Sequence, residues 1–129
     1  MDCGPACLRM IAKFYGKNFN PHQMKNISKI SWEGSSMLDI IDAAKKIGIK
    51  STGLEISIEL LKEVELPVIL HWNKHHFVVL FKIENDCYFI ADPAIGILNI
   101  CESEFLKHWQ TSKSDAGKTG TILTFSLIP

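Results

Sequence analysis

Apolar residues recur at helical spacing through the first part of the chain and gather into short runs through the second. Residues 5–15 place Ala6, Met10, Ile11 and Phe14 on one stripe, with Pro5 suited to a first helical turn and Gly16 to a stop. A second short helix is predicted from Pro21 to about Ser28. Ser36 and Asp39 make a capping-box-like start to a third, with Leu38, Ile41 and Ala44 as its buried stripe and Gly48 at its end. Ser57 caps a short fourth helix through Leu60, Leu61 and Val64. After Pro67 the pattern changes. Val68–Trp72, Phe77–Ile83, Tyr88–Ala91 and Ile97–Ile100 read as strands, separated by polar breaks at Asn73-Lys74 and Asn85-Asp86 that suit an antiparallel meander. Ser103 begins a last helix through Phe105, Leu106 and Trp109. A loose stretch from Thr111 to Gly120 then precedes a final strand, Thr121–Leu127. Helices first and antiparallel strands second predict an α+β domain.

Length and composition narrow this picture. The chain has 129 residues, enough for one domain (residues 1–129) with its own core, and it shows no repeat, linker or low-complexity tract. Its 14 basic and 14 acidic side chains cancel, so charge alone favours neither a nucleic-acid partner nor an anionic membrane. The longest apolar runs, such as Phe77 to Phe81, are too short to span a bilayer, and no basic-then-apolar signal segment opens the chain. The cysteines at positions 3, 7, 87 and 101 are read as reduced and the compartment as cytosolic, because a domain of this size does not need disulfides.

Cys3 carries the chemistry. It stands where the first helix should begin, and the unpaired N–H groups of a helix start favour thiolate over thiol. A cysteine nucleophile also needs a base, and a third group to orient that base. His76 opens the apolar strand Phe77-Val78-Val79-Leu80, and Asp92 closes the next strand just before Pro93. A hairpin across Glu84-Asn85-Asp86 would set His76 and Asp92 side by side, within about 3 Å. Helix-borne Cys with His and Asp from adjacent strands is the papain-like arrangement. Taken singly, each has a plainer reading: a buried small residue, a satisfied strand histidine, a turn-starting Asp-Pro. Cys7, one turn after Cys3, is expected to pack in the core. A metal site is the rival reading, drawing on His71, His75, His76, Cys87 and Asp92 with Cys3 and Cys7 as added sulfur. The spacing argues against it: His71-x-x-x-His75 lies across a strand and its turn, where the side chains diverge, and no Cys-x-x-Cys pair appears.

The run Met1-Asp2-Cys3-Gly4-Pro5-Ala6-Cys7-Leu8, then Met10-Ile11 and Phe14-Tyr15-Gly16, resembles the opening of the bacteriocin-processing cysteine peptidase domains of peptidase-containing ABC transporters. The likeness continues through Leu66-Pro67-Val68-Ile69, His76-Phe77-Val78-Val79-Leu80 and Ala91-Asp92-Pro93, nearly the whole chain in order. It implies a papain-like fold with Cys3 as nucleophile, His76 as base and Asp92 as its orienter. It implies cleavage of a peptide precursor after a Gly-Gly pair that ends its leader, the leader docking as an amphipathic helix on a shallow apolar surface. It implies as partners that leader and the transmembrane and nucleotide-binding domains of a parent exporter, with the domain on the cytoplasmic side of the bacterial inner membrane. No metal or organic cofactor is implied for the peptidase step; ATP would belong to the nucleotide-binding domain.

One element of the family pattern is missing. These peptidases carry a glutamine several residues before the nucleophile, whose amide helps hold the oxyanion, yet only Met1 and Asp2 precede Cys3; Gln23 and Gln110 lie downstream. The expectation is an N-terminally truncated fragment of a larger ABC exporter that keeps the triad and cleaves poorly, since one lost oxyanion donor costs roughly 10²–10³-fold in rate. The competing function on the same fold is a leader-binding domain that recruits cargo without cutting it. Such degenerate domains typically lack the nucleophile that Cys3 supplies.

Overall fold

The computed structural model describes residues 3–28, 36–114 and 117–129. Met1 and Asp2 of the opening motif, and residues 115–116 of the stretch expected to be loose, lie outside the described residues.

Helix α1 (Cys3–Phe14) ends in a left-handed Gly16 at φ 79°. The Gly16 N–H donates to Lys13 and the Lys17 N–H to Ala12, which satisfies the last carbonyls of the helix. Its buried face is Cys3, Gly4, Cys7, Leu8, Ile11 and Ala12, whereas Phe14 is 62% exposed and stands edge-on to Tyr15. Of the stripe expected through Ala6, Met10, Ile11 and Phe14, Ile11 is fully buried, but the buried face is rotated away from Phe14. Two small thiols and Leu8 face the sheet instead, because close approach of helix to strand admits small side chains there. α2 (Pro21–Ser28) starts with a reciprocal cap in which Asn20 and Gln23 each accept from the other's backbone N–H. That duty accounts for Gln23. α3 (Met37–Lys46) has the expected Ser36/Asp39 capping box, but it buries Ile40, Ala43 and Ala44 and leaves Leu38 64% exposed.

Strand β1 (Ile49–Ser57) follows, where no strand was expected, and Ser57 caps the short α4 (Ile58–Leu61). Then come β2 (Val68–Trp72), β3 (His76–Glu84), β4 (Cys87–Asp92), β5 (Gly96–Cys101), α5 (Glu102–Trp109), β6 (Gln110–Ser114) and β7 (Gly117–Leu127). The antiparallel sheet runs β1-β7-β2-β3-β4-β5, with β6 paired to the first residues of β7. Side chains alternate between two cores. Ile49, Ile69, Phe77, Val79, Leu123 and Phe125 pack with α1–α3 on one face. Val68, Leu70, Trp72, Leu80, Tyr88 and Ile90 pack with α4 and α5 on the other. Burial on both faces explains why β2 and the start of β3 read as continuous apolar runs. Among the described residues, no helix is long and apolar enough to cross a membrane.

Candidate functional site

His76 and Asp92 meet at one end of the β3–β4 hairpin. The two-residue turn Asn85-Asp86 closes its far end, both residues at positive φ (52° and 62°) as a type I′ turn requires. Phe81 is an extra residue bulged between the Leu80–Ile90 and Lys82–Phe89 pairs. From this frame the His76 Nε2–H donates to Asp92 Oδ1 at 2.7 Å. Asp92 is 7% exposed, and a carboxylate removed from water needs compensating donors. It has a second one in the Ala94 backbone N–H, at 2.8 Å from the same oxygen. Because Nε2 supplies the hydrogen, a neutral His76 ring carries its lone pair on Nδ1. That atom is buried and has no hydrogen-bond partner among the described residues.

Cys3 is the first described residue of α1 and is 5% exposed. It belongs to the packed cluster that contains Phe77, the neighbour of His76, and that Ala91, the neighbour of Asp92, packs against. One turn on, the Cys7 thiol donates to the Phe77 carbonyl oxygen at 3.3 Å, pinning α1 to the start of β3. Burial pushes the Cys7 thiol well above its ordinary value, and electrostatic interaction with Cys3 and with Asp92 pushes it further. α1 is thus fastened to the strand that carries His76, whose partner is the buried Asp92 carboxylate.

The turn that delivers His76 has an anchor that sequence reasoning missed. Asn73 and Lys74 hold positive φ between β2 and β3, and α5 grips them through His108. Its carbonyl oxygen accepts from the Asn73 N–H at 2.9 Å, its Nδ1 lies 2.7 Å from Asn73 Oδ1, and its ring stacks on Trp72. A histidine so far from His76 in sequence gave no local signal of this.

The residues of the metal reading do not all come together. His71 packs on the Phe77 ring, and Cys87 sits at the end of β4 remote from Asp92. Among the described residues, no group of three or more His, Cys, Asp or Glu could hold a metal ion.

The Peptidase C39 family model matches residues 1–113. The Colicin V secretion/processing ATP-binding protein CvaB of Escherichia coli is 32% identical over 108 residues, which is 84% of this chain and 16% of that protein. The lactococcin-G-processing and transport ATP-binding protein LagD of Lactococcus lactis is 33% identical over 114 residues, again 84% of this chain and 16% of the relative. The chain therefore spans about a sixth of the length of the curated relatives it matches. Among solved structures, a double glycine motif protease from an AMS/PCAT transporter, in complex with the leader peptide, superposes with a TM-score of 0.81 at 33% identity, covering 97% of this chain and 84% of that one. The peptidase domain of Streptococcus ComA gives 0.80 at 26% identity, covering 98% and 91%. Matched by the family model over residues 1–113 and by these relatives over most of its length, the chain belongs to the peptidase C39 family, as a papain-like cysteine peptidase domain.

Proposed function

We propose that this chain removes the leader from a secreted peptide precursor by cutting after a Gly-Gly pair, with Cys3 as nucleophile, His76 as base and Asp92 as the group that orients it. The observation that carries the reading is the His76 ring: Nε2 is tied to a buried carboxylate and Nδ1 is left without a partner among the described residues. Cys3 Sγ attacks the carbonyl carbon of the second glycine while its proton passes to His76 Nδ1. The oxyanion forms against the Cys3 backbone N–H, one of the free donors of a helix start. Collapse breaks the peptide bond, and Nδ1 returns the proton to the leaving amine. Water, deprotonated by the same nitrogen, then releases the leader from its thioester. No step calls on a metal or cofactor; ATP would act in another domain.

The substrate follows from relatives that process and transport bacteriocins and from a neighbour solved with a leader peptide. Two glycines suit a slot too narrow for side chains, a steric form of specificity. The chain is taken as one segment of a longer exporter, working on the cytoplasmic side of a membrane beside transmembrane and ATP-binding domains.

Incubation with a synthetic precursor carrying a Gly-Gly leader tests the proposal by mass spectrometry. Cleavage after the second glycine, lost in Cys3→Ala and His76→Ala, is expected. Binding of the intact precursor without cleavage would favour the recruiting function instead.

A further inference from the structure

We propose that Cys87 and Cys101 form a hydroperoxide-reactive thiol pair, closing as a cross-strand disulfide between β4 and β5. The two residues are direct register partners in the antiparallel β4–β5 ladder, so their side chains stand on the same face of the sheet. Directly opposed residues in such a ladder have Cα atoms about 4.5–5.5 Å apart, inside the roughly 4.4–6.8 Å that disulfides span. Both thiols are free, Cys87 half-buried and Cys101 exposed, and β5 is the last strand of the sheet's path. The pair lies at the end of the hairpin away from Asp92, so it is separate from the proposed cleavage machinery.

The two thiols are unequal. Cys101 immediately precedes α5, and its Sγ lies 3.2 Å from Ser103 Oγ. The Ser103 hydroxyl, then the backbone N–H groups of Glu104 and Ser103, hold the Cys101 thiol below its ordinary value. The neighbouring acids do little to oppose this, because each is engaged by a cation. Glu84, opposite Cys87 on β3, bonds Lys82 at 2.8 Å. Glu102 bonds Lys62 at 2.9 Å, with Asp86 3.5 Å from the same ammonium, and Glu104 pairs with Lys107 and His108. Exposure together with thiolate character makes a cysteine the site of peroxide attack, and a second thiol beside it resolves the product.

Two steps follow. The Cys101 thiolate attacks one oxygen of the hydroperoxide and the O–O bond breaks. The leaving oxygen takes a proton to become water or an alcohol, and sulfur is oxidised to sulfenic acid. Cys87 Sγ then attacks that sulfur: the S–S bond forms, the S–O bond breaks, and the oxygen departs as water with the Cys87 proton. Two thiols and one peroxide give a disulfide and two leaving molecules, of which at least one is water. The closed form ties β5 covalently to β4 and removes the thiolate from the start of α5.

The test uses the full chain carrying Cys3→Ala, so that the proposed nucleophile consumes no oxidant. It is treated with one equivalent of hydrogen peroxide, the remaining thiols are blocked, and the peptides are mapped by mass spectrometry. The expected product is a linked pair of peptides joining residues 87 and 101 within one chain, released by dithiothreitol. With Cys87→Ser added, sulfenic acid persists at residue 101 and is trapped by a 1,3-diketone. With Cys101→Ser added, oxidation of Cys87 slows at least about tenfold, as the more exposed thiolate is gone. Oxidation that leaves residues 87 and 101 as free thiols overturns the proposal. So does Cys87 oxidising at an unchanged rate without Cys101, or linkage only between chains.

Discussion

The thiol of Cys7 donates to the carbonyl oxygen of Phe77 at 3.3 Å, so the residue one turn beyond the proposed nucleophile is bonded to the residue just after the proposed base. This contact sets the spacing between α1 and β3. Burial, with electrostatic interaction from Cys3 and Asp92 adding to it, holds the Cys7 thiol protonated across the neutral range. Cys7 should therefore resist iodoacetamide in the folded chain and react only on unfolding. Cys7→Ala should lower stability by about 1–2 kcal/mol in urea titration, while the buried Leu8 and Ile11 keep α1 docked and cleavage continues. Loss of cleavage in a folded Cys7→Ala protein would give this thiol a part beyond packing.

Asp92 Oδ1 accepts from both the His76 ring and the Ala94 backbone. An amide oxygen can accept the same two bonds, so Asp92→Asn should lower the cleavage rate by only about tenfold, whereas Asp92→Ala should lower it by roughly 10²–10⁴-fold. Equal losses in steady-state kinetics would show that charge, rather than orientation, is the property His76 needs.

His108 bonds Asn73 from α5 and stacks on Trp72, holding the turn that precedes His76. Removing it with His108→Ala is expected to cost about 1–2 kcal/mol. The misplaced turn should slow turnover roughly tenfold with little change in KM, since the proposed leader contacts are untouched and only the alignment of the proposed base suffers. A KM effect without a kcat effect would place His108 on the substrate side.

Gly120 lies flat against the Trp109 indole, whose Nε1–H donates to the Thr121 carbonyl oxygen at 3.2 Å. A Cβ at Gly120 would overlap the ring, and Trp109 is fully buried with no room to withdraw. Gly120→Ala should destabilise the domain by about 3 kcal/mol, read as a shifted denaturation midpoint at unchanged slope.

Buried Tyr88 donates to Glu102 at 2.8 Å, and Lys62 reaches the same oxygen at 2.9 Å. Lys62 and then Tyr88 hold the Glu102 carboxyl below its ordinary value of 4.5. A carboxyl lowered in the folded state adds stability that is complete above the unfolded value and lost as the pH falls through the folded one. Tyr88→Phe should therefore cost about 1 kcal/mol at pH 7, and the gap between variant and wild type should narrow below pH 4.5. A gap that is constant from neutral to acid pH would assign the loss to packing alone.

The sequence carried the pairing of His76 with Asp92 further than it carried the sheet. His76 and Asp92 were legible because a two-residue break between two apolar runs leaves little choice but a tight hairpin, which brings their ends together. The capping residues Ser36, Asp39 and Ser57 were legible because capping is a local hydrogen-bond pattern. β1 was not. Ile49-Lys50-Ser51-Thr52-Gly53-Leu54-Glu55 has a glycine and no clean alternation, and it becomes a strand by pairing along its whole length with β7. The rotated faces of α1 and α3 misled for a related reason. Size and apolarity point to Phe14 and Leu38, while tight packing on the sheet selects Cys7, Ala12, Ala43 and Ala44. His108 was hidden because its partner Asn73 lies on a different element.

β7 pairs with β1 on one side and with β2 and β6 on the other. A ribosome makes β1 and the whole β2–β5 meander before β7 emerges, so until then β1 lacks its only described partner and β2 has an open edge. The hairpin bearing His76 and Asp92 can form early from local contacts, but α1 and its thiol dock on a face that Leu123 and Phe125 complete. The proposed nucleophile and base are thus brought under one fold only once β7 is made, and a nascent chain interrupted before residue 117 would carry every proposed catalytic side chain on a sheet that lacks the strand joining β1 to β2.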